Sequence, residues 1–292
     1  MNPEEIPKSV KLVECPRDAM QGWQHFIPTE KKIDYLNALM QVGFDSLDFG
    51  SFVSSKAIPQ MADTKQVIEK ITPGNSKTRL LAIVANSRGG EQAALFPLIQ
   101  DIGFPFSISE TFQLRNTNAS INKSFETVLA LQEICYLGGK RLVVYISMAF
   151  GNPYGDPWSI DIVLDWIGKL TEIGIPVISL ADTVGLASPP MVQSLTKKVI
   201  SEFPLTETGV HLHSRRENML EKLDAAFSAG CKRFDGAVNG IGGCPMAGDT
   251  LVGNMDSLIM VDYFGKKGLI PTLNESALQK CRILADNIFL ND

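Results

Sequence analysis

The chain has 292 residues, 45% of them hydrophobic, and a formal net charge of −5. That length supports a sizeable core, as one α/β barrel or as two domains. A mildly acidic balance with no basic stripe excludes a general nucleic-acid-binding surface.

Short apolar, β-branched runs alternate with amphipathic stretches. Strands are expected over Val10–Cys15, Ser46–Phe49, Leu80–Ala85, Pro105–Ser109, Arg141–Ser147, Val177–Leu180, Gly209–His213 and Arg233–Val238. Helical patterns lie between them, as at Lys31–Val42, Lys123–Leu137, Ile160–Ile173 and Pro190–Glu202. Strand–helix alternation predicts βαβ units and a parallel sheet. Eight units at a spacing of roughly 30–35 residues fit a TIM (β/α)8 barrel. One catalytic domain is expected over 1–292, with the barrel over about 10–254 and additional C-terminal helices over about 255–292. A doubly wound sheet would carry a Gly-rich turn after its first strand. Here that place holds Cys15-Pro16-Arg17-Asp18-Ala19-Met20-Gln21-Gly22, and the run Gly240-Ile241-Gly242-Gly243 follows the last strand as a closing loop.

The five cysteines have no C-x-x-C spacing, which argues against a disulfide framework and a structural zinc site. A reducing cytoplasm is the expected location. The N-terminus, Met1 to Lys8, has neither the apolar segment of a signal peptide nor the basic character of a transit peptide. No apolar stretch approaches the ~20 residues of a membrane span.

In a barrel of this type the active site lies at the C-terminal ends of the strands. Polar residues gather there. The first strand leads to Arg17 and Asp18, the second carries Asp48 and then Ser51, and the fifth runs into Asn152 and Tyr154. The sixth ends in Asp182 and Thr183, the seventh in His211 and His213, and the eighth leads to Cys244. Two of the chain's three histidines lie in His211-Leu212-His213. Strand residues i and i+2 share a face, so both rings project into one space and can serve one metal ion. The competing reading is two partly exposed histidines at a strand end. Asp18 is the natural carboxylate ligand and Asn254 can add an amide oxygen, although each is also a common cap or turn residue. Oxygen and imidazole donors suit Mg²⁺ or Mn²⁺, with other divalent ions able to substitute.

Arg17 cannot serve as a base, but it can stabilise a developing oxyanion or form a salt bridge at the rim. Cys244, in Gly242-Gly243-Cys244-Pro245, is either an acid–base thiol over a substrate or a small loop residue. His25 has no partner by spacing, and Cys15, Cys135, Cys231 and Cys281 read as core.

Together these motifs resemble the hydroxymethylglutaryl-CoA lyases, a branch of the DRE-TIM metallolyases with a pyruvate-carboxyltransferase-like barrel. The resemblance covers nearly the whole chain. Its motifs are Lys11-Leu12-Val13-Glu14-Cys15-Pro16-Arg17-Asp18, Ser51-Phe52-Val53-Ser54-Ser55-Lys56 with Pro59-Gln60-Met61, Ser179 to Gly185, His211-Leu212-His213 and Gly242-Gly243-Cys244-Pro245. It implies a divalent metal held by Asp18, His211, His213 and Asn254. It implies that Arg17 steadies the enolate of departing acetyl-CoA, that Cys244 transfers a proton, and that Asp48 and Asp182 are supporting carboxylates. Gln21 and the pair Arg215-Arg216 become candidate substrate contacts, the pair facing CoA phosphates. The implied partner is a small acyl-CoA, with no nucleic acid and no membrane, in a homo-oligomer such as a dimer.

Some positions depart from the family pattern. Asp48 stands where a Glu is usual, Ser214-Arg215-Arg216-Glu217 replaces an Asp-Thr-Tyr-Gly-like run, and Gly22-Trp23 follows Gln21. The stretch Met246–Gly253 is about one residue longer. Two other readings stand beside the lyase: a Claisen-condensing synthase of the same superfamily, and a barrel that binds acyl-CoA without turning it over.

Overall fold

The computed structural model describes residues 10–243 and 252–289. Eight strands run β1 (Lys11–Glu14), β2 (Ser46–Ser51), β3 (Arg79–Ile83), β4 (Ile99–Ser107), β5 (Arg141–Ser147), β6 (Val177–Asp182), β7 (Glu207–Leu212) and β8 (Arg233–Gly236). The helices are α1 (Pro16–Gln21), α2 (Thr29–Met40), α3 (Thr64–Lys70), α4 (Ser87–Ala94), α5 (Glu110–Thr117), α6 (Ile121–Leu137), α7 (Ile160–Glu172), α8 (Pro189–Glu202), α9 (Met219–Ser228), α10 (Ser257–Lys266) and α11 (Glu275–Phe289). The strands form a closed barrel in chain order. β1 pairs in parallel with β8, from Lys11 opposite Arg233 to Glu14 opposite Gly236.

The strands are buried on both faces, so they read as continuous apolar runs and not as alternating ones. In β5 every residue after Arg141 is buried. Outward side chains such as Leu12, Leu47, Phe104 and Leu180 join the helices in one large core. A second, smaller apolar cluster of Leu81, Ile83, Val143, Tyr145 and Val177 fills the β3–β6 side of the barrel interior. The β7–β8–β1 side is polar instead. Serine N-caps at positions 109, 120, 159 and 188 start α5, α6, α7 and α8 by accepting a backbone N–H of the first turn.

Charge closes the N-terminal mouth. Asp101, fully buried, accepts hydrogen bonds from Arg79 and Arg141, and Lys11 Nζ lies 2.5 Å from Glu207. In barrels this end serves stability, leaving the other for chemistry.

The eightfold barrel and its C-terminal helical extension match the expectation, with two local differences. β4 begins at Ile99, well before Pro105. Gln100, Asp101 and Gly103 interrupt the apolar run that marks a strand, yet two arginines neutralise Asp101. At Gly103 an added Cβ would lie 2.5 Å from Ile83 Cδ1, so the inward position tolerates only hydrogen. Arg17 and Asp18 are not on a strand end. β1 stops at Glu14, and Pro16, at a first-turn position where its missing N–H costs nothing, opens α1. α10 follows β8 and packs beside it, and α11 lies along α2, with the Phe289 ring edge-on to Trp23 at 5.2 Å. Among the described residues no helix is long and apolar enough to cross a membrane.

Candidate active site

The C-terminal mouth opens into a cavity of about 370 Å³. Its polar end is lined by Arg17, Asp18 and Gln21 from α1 and by His211 and His213 from the end of β7. Its apolar wall includes Val53, Ile58, Ile83 and Phe112.

Asp18, His211 and His213 each bring one ligand atom within 4.8 Å of the others, although 193 positions or more separate Asp18 from the pair in sequence. Outer partners fix the two rings. His213 Nδ1 lies 3.0 Å from the Thr183 carbonyl oxygen, which can only accept, so the Nδ1 proton is committed there. His211 Nδ1 faces Asp235 Oδ2 at 3.4 Å. Each ring thereby turns its Nδ1 to an acceptor and leaves Nε2 to face elsewhere, and His213 Nε2 is buried without any hydrogen-bond partner. An imidazole held at Nδ1 by an acceptor, with Nε2 bare beside a carboxylate, is the donor set that a divalent cation takes. Asn254 reaches the cluster by a bridge to His213. Its Nδ2 donates to Asp18 Oδ2 (2.7 Å) and to the Ile241 carbonyl (2.9 Å), so only its oxygen is left to act as a ligand. Close approach here requires Gly242. At φ +111°, a Cβ would meet Asn254 Nδ2 at 2.5 Å and the Ala19 Cα at 2.9 Å.

The electrostatics favour binding a cation. Burial opposes ionisation of Asp18, but Arg17, the two histidines and the Asn254 hydrogen bond hold its pKa down at about 2. Burial and the neighbouring His211 push His213 down to about 4, so its ring is neutral and ready to coordinate. For His211 burial acts downward, but the hydrogen bond and charge of Asp235, with Asp18, raise it above its ordinary value. Cys15, His211 and Asp235 form a second close triplet. There burial, reinforced by the charge of Asp235, keeps the Cys15 thiol protonated.

Arg17 is the other half of the site. Its Nε donates to Asp48 at 3.0 Å and its Nη2 at 2.5 Å, while Nη1 donates to Asp18 (3.1 Å) and to Gln21 Oε1 (2.8 Å). Asp48 is 1% exposed and does not line the cavity, so it meets Arg17 and not a ligand. Flanking carboxylates overcome burial and keep the guanidinium charged. Gln21 Nε2 donates back to Asp18 at 2.6 Å.

Asp182 faces away from the cavity. Its Oδ2 accepts Lys222 Nζ at 2.8 Å and its Oδ1 accepts the Ala187 N–H. Arg215 and Arg216 are exposed beyond β7, outside the cavity lining. Asn152 shapes the loop after β5 by accepting the backbone N–H groups of Tyr154 and Asp156. Cys244 lies outside the described residues.

Sequence reading passed over Asp235 and Lys222. Lys222 Nζ also donates to the His213 carbonyl (2.8 Å), tying the strand end that carries the histidine to the β6 turn that carries its Thr183 partner. Both residues leave a trace in the sequence. Asp235 interrupts an apolar strand. Lys222 falls at i+3 on the buried face of α9, beside Met219, Leu223 and Ala226.

A closed barrel whose C-terminal mouth carries an Asp/His/His cluster beside a buried arginine has the layout of a barrel enzyme with a metal-binding site. The comparisons make that class specific, because the HMGL-like family model matches residues 10–272 and the chain belongs to that family. The hydroxymethylglutaryl-CoA lyase YngG of Bacillus subtilis is 33% identical over 242 residues, covering 82% of this chain and 80% of the relative. The 3-hydroxy-3-isohexenylglutaryl-CoA/hydroxymethylglutaryl-CoA lyase of Pseudomonas aeruginosa is 33% identical over 247 residues, with 83% and 80% covered. Among solved structures, the HMG-CoA lyase of Acinetobacter baumannii in complex with coenzyme A and 3-methylmalate superposes with a TM-score of 0.88. It is 28% identical, covering 99% of this chain and 93% of that one. The Bacillus subtilis HMG-CoA lyase structure gives 0.89 at 29% identity, covering 96% and 94%.

Proposed function

We propose that this chain cleaves 3-hydroxy-3-methylglutaryl-CoA to acetyl-CoA and acetoacetate. The observation that carries the reading is the convergence of Asp18, His211 and His213 beside Arg17, in a family whose relatives are named for that cleavage. Mg²⁺ or Mn²⁺ suits the oxygen and imidazole donors, with Asn254 completing the set. Bound there, the cation would act as a Lewis acid and template for the substrate's 3-hydroxyl and a neighbouring oxygen.

The chain's own residues account for the rest. Cleavage requires that the 3-hydroxyl pass its proton to a base, that C3 become a carbonyl as the C2–C3 bond breaks, and that the bond's electron pair pass into the thioester enolate. Arg17, fixed by Asp48, is placed at the polar end of the cavity to hydrogen-bond that enolate oxygen as charge develops. Cys244 is assigned from its motif to deliver a proton to C2, which completes acetyl-CoA. The apolar wall of Val53, Ile58, Ile83 and Phe112 takes the alkyl group on C3. Arg215 and Arg216, exposed beside the mouth, are assigned to the CoA phosphates. Apolar side chains exposed around α4 and α6 (Leu95, Tyr136 and Leu137) support a homo-oligomer.

The test is incubation with 3-hydroxy-3-methylglutaryl-CoA, with acetoacetate and acetyl-CoA assayed in parallel. Equal amounts of the two, lost on chelation and restored by Mg²⁺ or Mn²⁺, are expected. Consumption of acetyl-CoA with a 2-oxo acid, and no acetoacetate, would make the protein a synthase. Binding of CoA esters without turnover would make it a non-catalytic barrel.

A further inference from the structure

Directly under His211 the barrel interior carries charge that the reaction does not use. Tyr145, Ser179, Gly209 and Arg233 face one another across β5 to β8 in a single layer. Arg233 is 1% exposed. Its Nε and Nη2 have no hydrogen-bond partner, and neither has Asp235 Oδ1 nor Glu207 Oε1. It makes two long ionic contacts: Nε lies 3.9 Å from Asp235 Oδ1, and Nη1 lies 3.7 Å from Glu207 Oε1. The neighbouring strand makes room for this side chain. A Cβ at Gly209 would sit 2.8 Å from Arg233 Cδ and 2.9 Å from its Cγ. A buried guanidinium is expensive unless it compensates another charge, and the charge above it is the carboxylate whose other oxygen faces His211 Nδ1.

We propose that Arg233 is a positioning residue for the metal centre, anchoring Asp235 so that Asp235 holds the His211 ring with Nε2 toward Asp18 and His213. The inference rests on reading those three residues as the metal ligands. Arg233 touches neither substrate nor metal. It acts through Asp235, and Gly209 exists in its present form to let the Arg233 stem pass.

The experiment is a Mn²⁺ titration of metal-stripped protein, with free Mn²⁺ read by electron paramagnetic resonance. It covers the wild type, Arg233→Met, Arg233→Lys, Gly209→Ala, Asp235→Asn and the double variant R233M/D235N, each first checked for native circular dichroism. Loss of an outer partner of a metal ligand weakens affinity by roughly 10- to 100-fold, and R233M is expected toward the lower end of that range. R233K should recover most of the loss, because it restores the charge. G209A should weaken binding in the same direction although Arg233 is still present. The double variant should bind no more weakly than D235N alone, since Arg233 has no route to the metal except through Asp235. If a variant fails to fold, G209A and R233K carry the test. Wild-type affinity in folded R233M, or additive losses in the double variant, would overturn the relay. Failure of the wild-type protein to bind Mn²⁺ would instead remove the metal-centre reading on which it stands.

Discussion

Arg17→Gln should lower both stability and turnover, and the structure separates the two causes. Arg17 is 9% exposed and its guanidinium pairs with Asp48, itself 1% exposed. Glutamine is too short and carries no charge, so Asp48 would be left as an uncompensated buried carboxylate. Breaking one side of a buried ion pair costs about 3–5 kcal/mol. The second loss is kinetic. A donor aimed at a developing oxyanion is worth ~2.7–4 kcal/mol, about 10²–10³ in rate. The double variant R17Q/D48N removes the stranded charge but not the kinetic defect. Urea unfolding should therefore show a large loss in R17Q that is mostly recovered in R17Q/D48N. Acetoacetate release should stay at least a hundredfold down (roughly the lower bound for such a donor) in both. Near-wild-type turnover in either variant would refute the role given to Arg17.

Lys222→Met leaves Asp182 buried without its cation and frees the His213 carbonyl. Chemical denaturation should show a loss on the order of 3–5 kcal/mol, partly reversed by adding Asp182→Asn. Gly242→Ala drives a Cβ into Asn254 and α1. It should lower both the thermal midpoint and Mn²⁺ affinity, and unchanged affinity would take Asn254 out of the site. Glu14, fully buried and accepting the Val238 N–H and the Ser257 hydroxyl, is pushed up to about 8 by burial. The unfolded chain ionises this group above about pH 4.5 while the folded protein keeps the proton, so stability is full at low pH, falls as pH rises toward 8 and then levels. Glu14→Gln should flatten that fall in urea midpoints compared at pH 5 and pH 8, and parallel curves for the two proteins would contradict it. Arg215→Ala and Arg216→Ala should raise KM for the CoA ester with kcat unchanged, and an unaltered KM would return both residues to the solvated surface.

The barrel was legible because its strands are apolar runs set at regular intervals, and a parallel sheet covered on both faces leaves that signature. His211-Leu212-His213 was legible because period-two geometry puts both rings on one face. Other features depended on contacts between distant parts of the chain. The start of β4 stayed hidden because Asp101 looks like a breaker until Arg79 and Arg141 neutralise it. The role of Asp48 stayed hidden because only α1, which brings Arg17 down onto it, shows that its short side chain meets the guanidinium. Asp182 sits in the expected motif, yet its partner is a lysine from a helix 40 positions later. The support of His211 is invisible without the pairing of β7 with β8, which places Asp235 opposite it.

The proposed chemistry requires that Asp18, His211 and His213 grip a single divalent ion. Anomalous diffraction from crystals grown with Mn²⁺ tests it most directly. One strong peak within about 2.0–2.3 Å of Asp18 Oδ, His211 Nε2 and His213 Nε2 is predicted. A peak bound elsewhere, with those three atoms joined only to one another or to water, would contradict it.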